Sequence, residues 1–323
     1  MTAWEERFFA RADPLGFILF ARNCRDPAQV RALVAALRAT VGRDDAPVLI
    51  DQEGGRVARL GPPHWRAAPP AARFGILAAH DPDRAREAVR LNARLLAAEL
   101  AGLGITVDCA PVLDLPAPGA HDVIGDRAFG RDPALAAALG RAFCEGMLEG
   151  GIIPVVKHVP GHGRAAVDSH HALPVVEAGR AELEASDFQP FRALADAPWA
   201  MTAHVLFAAI DPDNPATTSR RVIEDVIRGD IGFDGVLVTD DVSMRALAGD
   251  VAARAAAALG AGCDLVLHCN GKREEMTEVA RAAPPLRAQT KRRLAAAAAR
   301  PAKPQALDPA GLSARLEELL GAA

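Results

Sequence analysis

Two neighbouring motifs carry many of the side chains that could do chemistry in this chain. The first is Lys157-His158-Val159-Pro160-Gly161-His162-Gly163, and Asp168-Ser169-His170 begins five residues later. Asp168 and His170 are two residues apart, so the carboxylate can hold the imidazole, fix its tautomer and raise its basicity. A histidine tuned in this way can donate a proton to a leaving group and then take one from water near neutral pH. The alternative is that the histidines of this segment are solvated loop residues.

A pair of adjacent acids, Asp240 and Asp241, follows the apolar run Val236-Leu237-Val238. A carboxylate fixed at such a place can attack an anomeric carbon and form a glycosyl ester, which divides a difficult displacement into two easier steps. We expect one of the two acids only to cap the following helix. We favour Asp240 as the nucleophile.

Other polar side chains are candidates for binding a sugar. Asp51 follows the apolar run 47–50, where its carboxylate could accept hydrogen bonds from two adjacent hydroxyls. Arg59 and Arg127 could donate to the same ring, although either alone is typical of a surface charge. Lys157 and His158 could bind hydroxyls as well, and the lysine could instead form a Schiff base.

Seven short apolar runs each end on, or one or two residues before, a residue of this kind. The runs cover residues 16–20, 47–50, 105–110, 152–156, 199–203, 236–238 and 265–267. Stretches of helical period separate them, which is typical of repeated strand-helix units with a parallel sheet buried on both faces. Polar residues at the carboxyl ends of the strands are what a (β/α)8 barrel needs. We therefore predict an α/β fold, a single (β/α)8 TIM-type barrel, with its active site at these strand ends.

The predicted helix starts agree with a barrel, but the number of predicted strands does not. Asp-Pro pairs at residues 26–27, 81–82, 132–133 and 308–309 predict capped helix starts. A closed barrel of this type has eight strands, whereas only seven can be found. The segment from Thr2 to Ala12 is predicted to be a helix that begins with a capping box. We expect the first strand to be missing from the N-terminus, or the barrel to close imperfectly between residues 16–20 and 263–268.

Length and composition indicate one enzyme-sized domain. The 323 residues suit a single barrel domain over 1–323, with its core at about 14–300 and a C-terminal helix at about 308–321. Half of the residues are hydrophobic and the net charge is -4, which gives no electrostatic case for nucleic acid or an anionic membrane. The five scattered cysteines predict buried thiols in a reducing compartment. With no signal peptide and no run of ~18 apolar residues, a cytoplasmic location is expected.

In these motifs the chain resembles the bacterial β-N-acetylglucosaminidases of glycoside hydrolase family 3, in particular the single-domain cytoplasmic enzymes of peptidoglycan recycling. The motifs occur in family order between about residue 16 and residue 270. They are Leu19-Phe20-Ala21-Arg22-Asn23, Asp51-Gln52-Glu53-Gly54-Gly55-Arg56-Val57, Ala110-Pro111-Val112-Leu113-Asp114, Ile124-Gly125-Asp126-Arg127, the two motifs at 157–163 and 168–170, Thr239-Asp240-Asp241-Val242-Ser243-Met244 and Gly262-Cys263-Asp264.

The resemblance implies a role for each candidate residue. Asp240 would form the covalent intermediate, and His170 would be the general acid and then base, with Asp168 as its partner. The sugar would be held by Asp51, Arg59, Arg127, Lys157 and His158. The implied reaction is retaining hydrolysis of a terminal, non-reducing β-linked N-acetylglucosamine from muropeptide fragments such as N-acetylglucosaminyl-1,6-anhydro-N-acetylmuramic acid. Neither a metal nor an organic cofactor is implied, and we expect a monomer that binds a small molecule.

Three alternatives stay open at this point. A histidine acid/base would allow phosphate to replace water as the acceptor, because a neutral imidazole repels phosphate less than a carboxylate does. A metal-dependent hydrolase on the same barrel would need His158, His204, Asp240 and His268 to converge, and no His-x-His follows an early strand. A non-catalytic sugar-binding relative is the third alternative.

Overall fold

A computed structural model describes residues 1–302 and 307–321 of the chain, and one parallel sheet dominates it. The sheet has seven strands in chain order. They are β1 (Phe17–Leu19), β2 (Val48–Ile50), β3 (Val107–Asp108), β4 (Ile153–Val159), β5 (Trp199–Thr202), β6 (Val236–Asp241) and β7 (Leu265–Leu267). Every neighbouring pair is parallel. All seven predicted strands, and the α/β fold class, are confirmed.

Two strands extend further than their apolar runs predict. β4 continues through Lys157 and His158, and β6 continues through Asp240, so these residues belong to the strands instead of following them. The pairing of β4 with β5 shifts between Lys157 and Val159, and the pairing of β6 with β7 shifts between Val238 and Asp241. Such bulges redirect side chains and are frequent beside active sites. Here they fall at the residues expected to do chemistry.

Within the described residues, 1–302 and 307–321, helices alternate with these strands. They are α1 (Ala3–Ala12), α2 (Pro27–Val41), α3 (Ala71–Ala78), α4 (Pro82–Ala101), α5 (Pro133–Glu149), α6 (Arg180–Ala185), α7 (Gln189–Ala193), a π-helix over Val222–Asp230, α8 (Val251–Ala261), α9 (Arg273–Ala282), α10 (Ala288–Ala298) and α11 (Pro309–Gly321). None of them is long and apolar enough to cross a membrane.

Helix starts predicted from Asp-Pro pairs are confirmed by cap hydrogen bonds within the first helical turn. Asp26, Asp81 and Asp132 each accept a hydrogen bond from a backbone N–H in the first helical turn, with proline at the start of the helix. Thr2 and Glu5 form the predicted capping box of α1. These caps satisfy N–H groups that the helix itself leaves without partners.

Side chains from the first and last strands meet in the same interior cluster, so the sheet is curled. Leu49, Val107, Val155, Trp199 and Val236 form the centre of this cluster. Ile18 from β1 and Leu265 from β7 pack against it. The Arg22 guanidinium, just after β1, also donates to the carbonyl of Cys269, just after β7.

The curled sheet does not close into an eight-stranded ring, which agrees with the imperfect closure expected between residues 16–20 and 263–268. Within the described residues, β1 and β7 lie at opposite ends of the strand order with no ladder between them. Helix α1 lies beside this gap, because the Phe9 ring contacts Phe17 of β1 and the Arg273 guanidinium of α9 lies 5.0 Å from the centre of the Trp4 ring. The parallel α/β architecture is therefore confirmed, whereas the full (β/α)8 barrel stays a prediction.

All five cysteines are free thiols. Cys109, Cys144 and Cys263 are buried as predicted, and burial raises the pKa of Cys144 and of Cys263 to about 12. Cys24 and Cys269 are only half-buried, because both lie in loops at the carboxyl edge of the sheet and not in its core.

Helix α3 gives a test of how closely the fold is packed behind the site. A Cβ atom on Gly75 would lie 1.6 Å from the carbonyl oxygen of Phe129, whereas one on Gly260, in α8, would meet nothing within 4 Å. We expect Gly75→Ala to lower the free energy of unfolding by about 2 kcal/mol, because the backbone must move. Gly260→Ala should raise it by roughly 0.5 to 1 kcal/mol through helix propensity. Urea denaturation of both variants measures these changes. Equal changes in the free energy of unfolding would contradict the close packing of Gly75.

Candidate active site

A chain of alternating charges lies at the carboxyl edge of β2 and β4. The Lys157 ammonium, 2% exposed, lies 3.0 Å from Oδ1 of Asp51 and 2.7 Å from Oε1 of Glu53. Arg59 donates to the other Asp51 oxygen at 3.0 Å, and Arg127 donates to both Glu53 oxygens at 2.8 and 2.9 Å. Four of the five predicted sugar-binding residues are thus brought together in one network.

The network fixes the charge of its members. Burial would lower the pKa of Lys157, but Asp51 and Glu53 raise it above its ordinary value, so the amine stays protonated. A protonated amine is not a nucleophile, which argues against the Schiff-base alternative. Burial would likewise raise the pKa of Glu53, but Lys157 and Arg127 lower it to about 2.

Glu53 was missed in the sequence, although its spacing carries a signal. Residues two apart in an extended segment face the same side, so Glu53 follows Asp51 into the site while Gln52 faces away. Gln52 is fully buried and uses its side chain to hold the backbone of Arg59 and Leu60. The carboxylates of Asp51 and Glu53 therefore both lie at the strand ends, beside the Lys157 ammonium.

His158 is oriented by a second residue that the sequence did not single out as functional. Oδ2 of Asp114 lies 2.6 Å from Nδ1 of His158, and Oδ1 accepts the backbone N–H groups of His158 at 3.2 Å and His162 at 2.7 Å. Burial would raise the pKa of Asp114, but both histidines lower it, so the carboxylate stays charged. With Nδ1 held in this way, Nε2 of His158 points at Asp240, 4.0 Å from its Oδ2.

The two adjacent acids have different surroundings. Asp241 accepts hydrogen bonds from the backbone N–H groups of Ser243 and Cys269 and from the Ser243 hydroxyl, so both of its oxygens hold the turn after β6. Asp240 accepts only the N–H of Asp241, on Oδ1, among the described residues, and its side chain is 22% exposed. Burial would raise the pKa of Asp240, but His204 and His158 lower it. Asp240 is therefore the acid that is ionised and accessible.

Asp168 and His170 form the pair that their spacing predicts. Oδ1 of Asp168 lies 2.7 Å from Nδ1 of His170 and accepts the His170 backbone N–H at 2.9 Å. The His170 side chain is 63% exposed. The loop that carries the pair is joined to the segment after β6, because the N–H of Ala246 donates to the carbonyl of Ser169 at 3.2 Å.

His204, one of the candidates for a metal ligand, uses both of its ring nitrogens in contacts within the protein. Its Nδ1 lies 2.7 Å from the Thr217 hydroxyl and its Nε2 lies 3.0 Å from the carbonyl of Asp241. Within the part of the chain that the structure describes, no three His, Cys, Asp or Glu side chains converge in a way that could hold a metal ion.

Comparison with known proteins shows that the chain that carries these acids and imidazoles is a glycoside hydrolase. The model of the glycosyl hydrolase family 3 N-terminal domain matches residues 11–302. A β-hexosaminidase from Aromatoleum aromaticum is 41% identical over 307 residues, which are 93% of this chain and 84% of the relative. The chain belongs to glycoside hydrolase family 3.

Solved structures of the family have the same fold. NagZ from Neisseria gonorrhoeae, in complex with N-trifluoroacetyl-D-glucosamine, is 32% identical with a TM-score of 0.86, and the match covers 99% of this chain and 94% of that one. A family 3 β-N-acetylglucosaminidase from Paenibacillus is 33% identical with the same TM-score of 0.86. That match covers 98% of this chain but 64% of the Paenibacillus chain, so this chain spans less than two thirds of that longer protein.

The buried position of Glu53 generates a prediction about stability and pH. Glu53→Gln leaves Lys157 short of one carboxylate and Arg127 without its partner, so we expect a loss of about 3 kcal/mol of unfolding free energy at pH 7. Because the pKa of Glu53 is lowered from 4.5 to about 2 by folding, its contribution is complete above pH 4.5 and is lost as the pH falls toward 2. The difference between parent and variant should therefore shrink over that window.

Urea denaturation at a series of pH values measures this difference. Glu317→Gln is the control for replacing a carboxylate by an amide, since Glu317 lies exposed on α11. A gap between parent and Glu53→Gln that stays constant from pH 7 down to pH 3 would show that the charge of Glu53 does not stabilise the network.

Proposed function

We propose that the chain is a retaining exo-β-N-acetylglucosaminidase that removes a terminal, non-reducing N-acetylglucosamine from muropeptide fragments. The observation that carries the proposal is the Asp240 carboxylate, which is ionised, partly exposed and faced by His158 at 4.0 Å, beside a loop with a preformed Asp168–His170 pair. The names of the relatives, β-hexosaminidase and β-N-acetylglucosaminidase, support the sugar.

The mechanism has two steps. In the first, a carboxylate oxygen of Asp240 attacks C1 of the sugar while His170 gives its proton to the glycosidic oxygen, so that the C1–O bond breaks and the aglycone leaves as an alcohol. In the second, His170 takes a proton from water, the water oxygen bonds to C1, and the ester to Asp240 breaks. Asp168 holds Nδ1 of His170, which leaves Nε2 to exchange the proton.

The charge network would bind the sugar. Lys157 donates to Asp51 and Glu53, and an ammonium has three donors, so one remains for a hydroxyl. We assign hydroxyl binding to Asp51, Arg59, Lys157 and His158, with Arg127 at the edge of the same ring. In the Neisseria protein the bound molecule is an N-acylated glucosamine, which supports a site of this kind.

We also propose an anhydromuropeptide substrate, which the resemblance implies, together with the cytoplasmic location and the monomeric state expected from the sequence. The gap between β1 and β7 would be the position of the eighth strand of a (β/α)8 barrel, since both strands contribute to one interior cluster.

The covalent step predicts which residue a trapped substrate labels. A slow fluorinated N-acetylglucosaminide should attach to Asp240, because that carboxylate is open while both oxygens of Asp241 hold the turn. Peptide mass analysis identifies the labelled residue, and Asp240→Ala should take up no label. A label on Asp241 or on any other side chain would overturn the assignment.

The same trapped ester distinguishes water from phosphate as the acceptor. Phosphorolysis is the second candidate because the proposed base is an imidazole, which does not repel an anion as a carboxylate would. Release of the label at a rate independent of phosphate, with free N-acetylglucosamine as product, supports hydrolysis. Faster release with a sugar phosphate as product supports the second candidate.

The acid role of His170 predicts that its loss depends on the leaving group. His170→Ala should lower kcat/KM for an unactivated alkyl or phenyl glycoside by about 100-fold or more, since general acid catalysis typically contributes that much. A dinitrophenyl glycoside needs no proton to leave and should lose far less in the first step. Steady-state kinetics with both substrates test this, and equal losses would argue against the acid role.

A further inference from the structure

Ser169 is buried in a loop whose neighbouring residues are not. It is 3% exposed, whereas the side chains of Asp168 and His170 on either side are 22% and 63% exposed. Val167, one residue earlier, is exposed as well. The loop therefore touches the body of the protein at the residue between the two members of the catalytic pair.

Both the side chain and the backbone of Ser169 are held at this point. Its hydroxyl lies 3.1 Å from Nε2 of His162, and its carbonyl accepts the N–H of Ala246 at 3.2 Å. Ala246 lies six residues after Asp240 in the chain. One serine thus connects the pair to the strand end of the proposed nucleophile and to the imidazole of His162.

His162 is itself firmly placed. It is 3% exposed, and its backbone N–H donates at 2.7 Å to Asp114, the same carboxylate that orients His158 against Asp240. Burial lowers the pKa of His162 to about 4, so the ring is neutral at ordinary pH. Its Nδ1 is buried without a partner among the described residues, so the hydrogen bond to Ser169 is the polar contact that the ring makes there.

The start of the loop is equally constrained. The carbonyl of Gly163 accepts the N–H of Ala117 at 2.9 Å, and a Cβ atom on Gly163 would lie 2.0 Å from the carbonyl oxygen of Leu115. His162 is therefore fixed to the segment after β3 and cannot follow the exposed part of the loop. The hydrogen bond between His162 and Ser169 therefore fixes the serine relative to the rest of the site.

We propose that His162 and Ser169 are positioning residues, which form a clamp that keeps the Asp168–His170 pair over the scissile bond. The inference rests on the proposed acid/base role of His170. Neither residue exchanges a proton with the substrate. When the clamp is broken, the pair stays intact but occupies its working position for a smaller part of the time, so the step that needs a proton from His170 slows selectively.

The experiment measures leaving-group dependence in clamp variants. Ser169→Ala should lower kcat/KM for an unactivated phenyl β-N-acetylglucosaminide by about 10-fold or more, within the range that acid catalysis contributes, and should change the dinitrophenyl substrate less than about 3-fold. His162→Ala should behave alike, and the double variant should lose little more than either single one. His162→Gln, which keeps an N–H donor near the position of Nε2, should restore part of the activity.

Ser219→Ala is the matched control for removing a buried serine hydroxyl. Ser219 is fully buried and its hydroxyl donates to Asp211 at 2.6 Å. It lies far along the chain from the loop that carries the Asp168–His170 pair. This variant should unfold at a lower temperature while keeping the leaving-group dependence of the parent. Thermal unfolding of every variant separates loss of folded protein from loss of the acid step.

The outcomes separate the clamp from the function on which it rests. If His170→Ala shows the leaving-group effect while Ser169→Ala and His162→Ala lose activity equally on both substrates, or lose none, the clamp is wrong and the function stands. If His170→Ala itself shows equal losses, the acid role fails, and the clamp fails with it. If Ser169→Ala does not fold, the contrast between His162→Ala and His162→Gln decides.

Discussion

A buried ammonium must be neutralised by carboxylates that reach it, and at Lys157 this requirement joins separate segments of the chain. An isolated charge in the interior costs several kcal/mol, so Lys157 at 2% exposure depends on Asp51 and Glu53. Those carboxylates in turn hold Arg59 and Arg127. The ends of β2 and β4 and the turn that carries Arg127 are thus placed together by one electrostatic network, to which four of the five proposed sugar-binding residues belong.

The same physical argument favours one carboxylate as the proposed nucleophile. Asp51 and Glu53 are occupied by cations, Asp114 by two histidines and Asp241 by the turn after β6. Burial raises the pKa of Asp108 well above its ordinary value, which favours its neutral form. Asp240 differs from these acids because its pKa is lowered while, among the described residues, no hydrogen bond occupies its Oδ2. This difference among the acids supports the proposal that Asp240 is the nucleophile.

The fold was predictable as far as local rules reach. Parallel strands are buried on both faces and read as continuous apolar runs, and Asp-Pro caps act within one helical turn, so both were found correctly. The continuation of β4 through Lys157 was not, because a charged residue breaks an apolar run although its distant partners keep it buried. The full ring of a (β/α)8 barrel stays a prediction for a related reason, since closure depends on how two sequence-distant strands meet.

In the site, the same distinction separates what was predicted from what was missed. The Asp168–His170 contact is set by a spacing of two residues and was predicted. Glu53 and Asp114 act on partners far away in the chain, so no spacing pointed to their targets. Nor could spacing separate Asp240 from Asp241, because the choice depends on which acid the N–H groups of Ser243 and Cys269 occupy.

Asp114 connects the two groups that are proposed to be catalytic. One of its oxygens fixes the ring of His158, which faces Asp240, and the other fixes the backbone of His162, which contacts the loop of the acid/base pair. A carboxylate is short and rigid, so a displacement of either histidine relative to the other must strain a charge-assisted hydrogen bond in a buried place. The proposed nucleophile and the proposed proton donor therefore share one reference point, although they come from different segments and one of them lies on an exposed loop.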